Sequence, residues 1–105
     1  MSYTIESKSG DLVVLSDEVW LEHIQVHHPE VTIEDLRLTI EDPDEIQLSP
    51  LRSDVDLYYR LKVTSRIDRI RYWMVAVKKI SAGNFVSSAM TKTKIVGSKL
   101  VYRKR

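Results

Sequence analysis

Three histidines lie close together in the chain, at His23, His27 and His28. Imidazole has an unperturbed pKa of about 6.5, so a histidine can take up or release a proton in a reaction near neutral pH. On a helix with 100° per residue, His23 and His27 project within about 40° of each other, while His28 points elsewhere. The cluster therefore indicates either proton transfer or a packed structural histidine beside Trp20.

The same spacing, with one histidine four residues after another, is compatible with a metal site. Zinc would require a third protein ligand, such as Glu22 or Glu30, and further groups to orient the imidazoles. The chain has no His-Glu-x-x-His motif, and it has no cysteine to act as a thiolate ligand, a nucleophile or half of a disulfide. We therefore predict neither a metal nor any other cofactor.

Cations and one aromatic residue alternate along a predicted strand, where Tyr58, Arg60 and Lys62 share a side. Such a row can hold phosphates and stack bases, although a solvated sheet face has the same appearance. Many further cations follow in the same half of the chain: Arg66, Arg69, Arg71, Lys78, Lys79, Lys92, Lys94 and Arg103-Lys104-Arg105. Because each neutralised phosphate adds to affinity, this total favours an anionic polymer as partner.

Ser88 lies in the middle of another predicted strand, next to Ser87. A hydroxyl at such a position can donate to a phosphate oxygen or can simply fill an exposed face. No Gly-x-Ser-x-Gly turn surrounds it, which argues against an acyl-enzyme serine.

The net charge of +1 hides a strong segregation. Residues 1–50 carry two cations against twelve carboxylates, and residues 51–105 carry fourteen cations against three carboxylates. Such asymmetry points to contact with nucleic acid or membrane. The longest apolar run, Trp73 to Val77, is far too short for a membrane helix, and no signal peptide is recognisable. We therefore expect a cytoplasmic protein without membrane contact.

Two helices are predicted in the first half. Ser16 is a candidate N-cap for a helix that ends near His28, because Pro29 disfavours helical geometry in the residue before it. Thr32 is a candidate N-cap for a second helix, which the segment 42–44, Asp-Pro-Asp, ends. Before both helices, 3–7 and 12–15 are predicted to form a short hairpin.

The second half reads as strands. Alternation over 54–63 places Val55, Leu57, Tyr59, Leu61 and Val63 on a buried side and the polar row on the other. Further strands are predicted over 70–80, 85–91 and 99–103, with a turn over 64–69. We therefore predict one α+β domain over 1–105, with two N-terminal helices packed on a four-stranded antiparallel meander and a short N-terminal hairpin as an additional element.

Three stretches carry a resemblance to a known family. They are Trp20-Leu21-Glu22-His23-Ile24 leading to His28-Pro29-Glu30, then Asp42-Pro43-Asp44-Glu45-Ile46 followed by Tyr58-Tyr59-Arg60, then Phe85-Val86-Ser87-Ser88-Ala89-Met90 ahead of Lys94 and Gly97. In this order, over roughly 12–103, the chain resembles phage-associated members of the barnase/EndoU/colicin/RelE-like nucleases. Ser88 stands where related sequences often have Thr, and Met90 where an aromatic residue is usual.

The resemblance implies a metal-independent endoribonuclease, in some members a toxin. It implies that His23 transfers a proton, that Arg60 holds the phosphate and that Ser88 donates to it. His28 matches the second histidine of the motif and joins Tyr58, Lys62, Arg71 and Lys94 as a predicted substrate-binding residue. RNA is the expected partner, with an antitoxin-like protein inhibitor as another. The alternatives are an inactive nucleic-acid-binding module of the same fold and a protein-interaction role in which the acidic half docks a basic partner.

Overall fold

The computed structural model describes residues 2–62 and 71–104. The predicted turn over 64–69, with Arg66 and Arg69, lies outside these residues. The chain begins with strands β1 (Ser2–Glu6) and β2 (Leu12–Ser16), followed by a π-helical segment (Val19–Ile24) that continues as one α-helical turn, α1 (Gln25–His27). We refer to these two consecutive segments as the histidine helix. There follow α2 (Ile33–Glu41), β3 (Glu45–Leu48), β4 (Val55–Lys62), β5 (Arg71–Ile80), β6 (Gly83–Lys92) and β7 (Lys99–Arg103).

Within the described residues, seven strands form a single mixed sheet in the order β1-β2-β6-β5-β4-β3-β7. All neighbours are antiparallel except β2 and β6, which run parallel with Val13 opposite Asn84 and Val14 opposite Phe85. The predicted fold, two helices on a four-stranded antiparallel sheet, is therefore wrong. The hairpin extends the sheet at one edge, and β3 and β7 extend it at the other.

The sequence pattern missed these additions for two physical reasons. β3 is only four residues long, Glu-Ile-Gln-Leu, which is too short for alternation to be recognised. β7 pairs with β3 rather than with β6, and β2 pairs with a strand about 70 residues away in the chain. Backbone hydrogen bonds make these pairings, and they leave no mark on the side-chain pattern.

Several local predictions are confirmed. β1 and β2 form the predicted hairpin, and the last strand has the predicted bounds. The Ser16 hydroxyl accepts from the Val19 backbone N–H at 3.2 Å, just ahead of the histidine helix. The Thr32 hydroxyl accepts from the Asp35 backbone N–H at 3.1 Å and caps α2. These contacts connect neighbours in the chain, which explains why the sequence reveals them.

The two faces of the sheet differ in what covers them. The helix face, which carries Tyr58 on β4, packs against the helices, and Ile24 and Ile40 are fully buried there. The open face, which carries Tyr59 on β4, holds a smaller cluster with Met74 and is covered by no helix of the described chain. Both faces of the strands are thus partly apolar.

The prediction for β4 is half wrong. Val55 and Tyr59, on the expected buried side, are 7% and 1% exposed, but the opposite side is partly buried too. The row of Asp56, Tyr58 and Arg60 was expected to face solvent, yet it lies on the helix face, where Asp56 is 6% and Tyr58 is 7% exposed. The reason lies in the neighbouring strands, which place Val75, Val77, Val86 and Ala89 on that same face. Which side of a strand is buried depends on the apolar side chains that all the strands of the sheet contribute to that face. Alternation within one strand does not reveal this.

Tyr58→Ala tests this orientation. It should lower the free energy of unfolding by about 3–5 kcal/mol, because it removes a buried aromatic ring from the main core. Leu61→Ala, on the open face of the same strand and 46% exposed, should cost about 1 kcal/mol or less. Urea unfolding of both variants measures the difference. A larger loss for Leu61→Ala would restore the orientation expected from alternation.

Candidate functional site

The histidine helix starts where β2 ends. Because β2 runs parallel to β6, this start lies beside the C-terminal half of β6, and the helix contacts both strands on the helix face. His23 and His27 are exposed, and their ring centroids lie 5.5 Å apart in an edge-to-face arrangement. The structure therefore brings two solvent-accessible imidazoles together, close enough to act on one small group.

His28 lies at the end of this helix. Its backbone N–H donates to the Ile24 carbonyl at 2.6 Å, and its own carbonyl accepts from the Val31 N–H at 3.1 Å. Its ring Nδ1 lies 3.9 Å from a Glu30 carboxylate oxygen. These contacts explain how His28 closes the helix and turns the chain toward α2.

The predicted phosphate-binding cations lie at one end of the helix face. Lys62 is opposite Arg71, and Arg60 is opposite Trp73 on the next strand. The Lys62 ammonium lies 4.7 Å from the centroid of the Trp73 ring, a cation–π contact that holds its charge over the indole. Arg60, Lys62 and Arg71 thus form a compact cationic group on the same face as the histidine helix.

Tyr58 does not belong to that exposed group, because it is part of the main core. Burial raises the pKa of its hydroxyl, and the Asp56 carboxylate raises it further, while a hydrogen bond with Ser7 acts in the opposite direction. A ring in this position has no exposed surface on which a base of an RNA strand can stack.

Ser88 lies opposite Ala76 on the open face, and its Oγ is buried without a hydrogen-bond partner among the residues that the structure describes. Arg60 and the histidine helix are on the other face. The sheet therefore separates Ser88 from Arg60 and His23, and the structure does not gather the three around one phosphate. Lys94 belongs with Ser88, since it lines a cavity on the open face.

The open face has its own cations and aromatic rings. Lys78, Lys92 and Lys94 lie there, and none of them makes an ion pair with a carboxylate of the described chain. Tyr72 and Phe85 are half-buried on the same face. A cavity of about 420 Å³ lies between the sheet and the segment 93–98, with Leu57 and Met74 among its walls and Lys92 and Lys94 beside them.

The wall of this cavity is attached to the sheet by one tyrosine. The Tyr59 hydroxyl donates to the Val96 carbonyl at 2.8 Å and accepts from the Val96 N–H at 3.3 Å. Gly97 then passes so close to β3 that a Cβ at its position would lie 2.2 Å from Gln47 Cβ. Glycine is therefore required for the segment to lie flat against the sheet.

Electrostatics distinguish the two sides of the molecule. Residues 17–41, which include both helices, carry seven carboxylates and one cation, Arg37. Arg37, the one cation among these residues, is paired with Glu34 and Glu41. Lys92, on the sheet, and Lys94, just after it, make no ion pair with a carboxylate of the described residues.

The sequence does not indicate two features of the site. One is the partial burial of the predicted polar row. The other is the contact between Tyr59 and Val96, which lie 37 positions apart in the chain. Lys92 was recognised only as one of many cations. No local signal separates it from the others, because its position on the open face follows from its pairing opposite Tyr72.

The Tyr59 attachment predicts a pH dependence. Burial raises the pKa of the Tyr59 hydroxyl above the usual value of about 10; the hydrogen bond with Val96 opposes this, and Glu45 adds to it. The stability that the hydroxyl contributes is therefore complete below about pH 10 and is lost as the pH rises from there through the raised pKa.

Tyr59→Phe should cost about 1 kcal/mol at pH 7, as expected for lost hydrogen bonds, and the gap to wild type should shrink above about pH 10. Urea unfolding at a series of pH values measures this difference in the free energy of unfolding, and Tyr3→Phe, at an exposed ring, is the control. A gap that stays constant into strong alkali would contradict the role assigned to this hydroxyl.

Among the described residues, no helix combines the length and the apolar character needed to cross a membrane. In the part of the chain that the structure describes, no three histidine, cysteine, aspartate or glutamate side chains are arranged so that they could hold a metal ion together. Comparison with protein-family models, with curated proteins and with solved structures found no match to this chain.

Proposed function

We propose that this protein acts on RNA. A single strand would bind across the open face of the sheet, and the protein would cleave the strand without a metal ion. The observation that carries the proposal is the separation of charge between the two sides of the molecule. The helices present carboxylates, whereas the open face presents Lys92 and Lys94, which make no ion pair with a described carboxylate, and Lys78, which lies near Asp54.

Charge determines the path of the strand. Phosphates are repelled by the acidic helix layer and attracted to the lysines, so binding over the open face is electrostatically favoured. Lys92 and Lys94 lie at the rim of the 420 Å³ cavity and would hold consecutive phosphates. The attraction is independent of base sequence, because it acts on the backbone.

Aromatic rings on the same face support single-stranded RNA over a duplex. Tyr72 and Phe85 are half-exposed on neighbouring strands and would offer surfaces on which unpaired bases stack. On the same face, apolar Leu57 and Met74 line the cavity between the sheet and the segment 93–98. A duplex keeps its bases stacked inside and could not use these surfaces.

The double variant Lys92→Gln/Lys94→Gln tests the binding step. It should weaken binding of a single-stranded RNA and make the plot of log affinity against log salt shallower by about 1.4, since each lost phosphate contact on a single strand contributes about 0.7. Fluorescence anisotropy over a series of salt concentrations measures both effects.

Lys8→Gln is the matched control, because it removes one positive charge from the turn between β1 and β2, away from the open face. It should change the slope little. If it had the same effect per charge as the double variant, binding would follow overall charge and not the open face.

The exposed imidazole pair is the observation that favours cleavage. Because this pair lies on the helix face, the bound strand would cross the end of the sheet, where Lys92 of the open face and Arg71 of the helix face lie at neighbouring strand ends. One histidine would accept the proton of a ribose 2′-hydroxyl, and the 2′-oxygen would attack the adjacent phosphorus. The bond from phosphorus to the 5′-oxygen breaks, that oxygen receives a proton from an acid, and a 2′,3′-cyclic phosphate remains. His23 and His27 supply two groups of suitable chemistry, 5.5 Å apart.

Cleavage should proceed in EDTA and should distinguish the two faces of the sheet. If the imidazoles transfer the protons, His23→Ala should abolish cleavage, whereas Ser88→Ala, whose hydroxyl is buried on the other face, should leave the rate nearly unchanged. Gel analysis of a labelled RNA measures both rates, with Ser53→Ala, at an exposed site, as control.

Each alternative outcome has a clear meaning. If the protein binds RNA in a salt-sensitive way but the RNA stays intact after long incubation at several pH values, the protein is a binding module without nuclease activity. Loss of cleavage in Ser88→Ala alone would place the reaction on the open face and remove His23 from it. Failure to bind RNA at low salt would refute the whole proposal.

A further inference from the structure

A second cavity, of about 510 Å³, lies on the helix face at the end of the sheet opposite Arg60. The turn between β1 and β2 forms one side of it, and β7 forms the other. Its volume is within the range of about 300–1,000 Å³ that is typical of small-molecule sites. Neither the RNA-binding face nor the histidine pair contributes a residue to it.

The cavity contains an ion pair between a buried carboxylate, Asp56, and an exposed ammonium, Lys79. The side chain of Asp56 is only 9% exposed, and one of its oxygens, Oδ2, lies 3.0 Å from the ammonium of Lys79. Its other oxygen, Oδ1, has no hydrogen-bond partner among the described residues. Burying a carboxylate oxygen without a hydrogen-bond donor lowers the free energy of unfolding. A ligand that supplies a donor would remove this penalty. Because Oδ1 is itself buried, a ligand donor would reach it only after the carboxylate rotates about the Cβ–Cγ bond.

The remaining walls combine apolar side chains with the polar Ser9, Asp11 and Asn84. Val13, Ile46, Val77 and Val101 supply the aliphatic part, and the ring of Tyr102 adds a flat surface. Lys8 lies at the rim, exposed and without an ion-pair partner in the described chain. The cavity thus holds two ammonium groups, of Lys8 and Lys79, and two carboxylates, of Asp11 and Asp56, beside an apolar part.

We propose that this cavity binds a free α-amino acid with a large apolar side chain. An α-amino acid carries an ammonium and a carboxylate on one carbon. It can therefore align head-to-tail with the Asp56–Lys79 pair, its ammonium donating to Asp56 while its carboxylate accepts from Lys79 and Lys8. The apolar side chain would occupy the part of the cavity lined by Val77, Val101 and Tyr102.

Charge balance supports this class of ligand over singly charged ones. Because Asp11 also lines the cavity, the two lysines and the two carboxylates balance each other, so an amine or an acid alone would leave a net charge there. A simple acid would also leave the Asp56 oxygen without a donor. Only a zwitterion with adjacent charges satisfies both groups at once. This proposal is independent of the action on RNA.

The test titrates the full chain with L-phenylalanine and L-leucine by calorimetry, and with three ligands that each lack one charge. These are 3-phenylpropionate without the ammonium, and phenethylamine and phenylalanine amide without the carboxylate. Each truncated ligand should bind at least roughly tenfold more weakly than phenylalanine, as expected for a lost charge-assisted hydrogen bond. Equal affinity of the amide would indicate instead the N-terminal residue of a peptide and overturn the proposal.

Two variants locate the site. Asp56→Asn should abolish binding of phenylalanine, and Val101→Trp should do so by filling the cavity without altering its charges. Leu100→Trp, at the neighbouring exposed position of β7 that does not line the cavity, is the matched control and should bind normally. Thermal unfolding checks each variant, and if Asp56→Asn fails to fold, Val101→Trp decides. The proposal is overturned if phenylalanine does not bind at millimolar concentration, or if Val101→Trp binds it as wild type does.

Discussion

The parallel pairing of β2 with β6 determines the positions of most other parts of this molecule. β2 leads directly into the histidine helix, so the strand that β2 joins decides on which face and at which end both helices lie. With Val13 opposite Asn84, the helix starts beside the C-terminal half of β6. From there Ile24 and Leu36 reach Val75 and Val77 and complete the main core. Had β2 remained an isolated hairpin strand, neither helix would have a defined face to cover.

The pairing also determines how charge is distributed. Once the helices cover one face, their carboxylates form an acidic outer layer on that side, and Lys78, Lys92 and Lys94 remain on the other. The segregation along the sequence thus becomes a partial segregation in space. Arg60, Lys62, Arg71 and Lys79 lie on the helix face, and Arg103 and Lys104 pair directly with Glu45 and Asp42 of the acidic half.

Burial on the helix face has a further consequence for Asp56. The alternation that directs Tyr58 into the core also directs the carboxylate two residues earlier toward the same interior. Lys79 compensates one of its oxygens from the neighbouring strand. The desolvation penalty of the unpaired oxygen is tolerated more readily beside a cavity than in a closed core, because a ligand in the cavity can supply the missing donor.

The sequence by itself determined the elements whose signals are local. The N-terminal hairpin, the caps at Ser16 and Thr32 and the strand over 99–103 depend on contacts between near neighbours or on simple alternation, and each was predictable. Tertiary structure alone decided the strand order, the parallel register of β2 and the burial of Asp56 and Tyr58 on the second face of β4. It also separated Ser88 from Arg60 and His23, although all three were expected in one site. The physical reason is that pairing between distant strands is made by backbone groups common to every residue, while the buried face depends on aliphatic side chains contributed by several strands together.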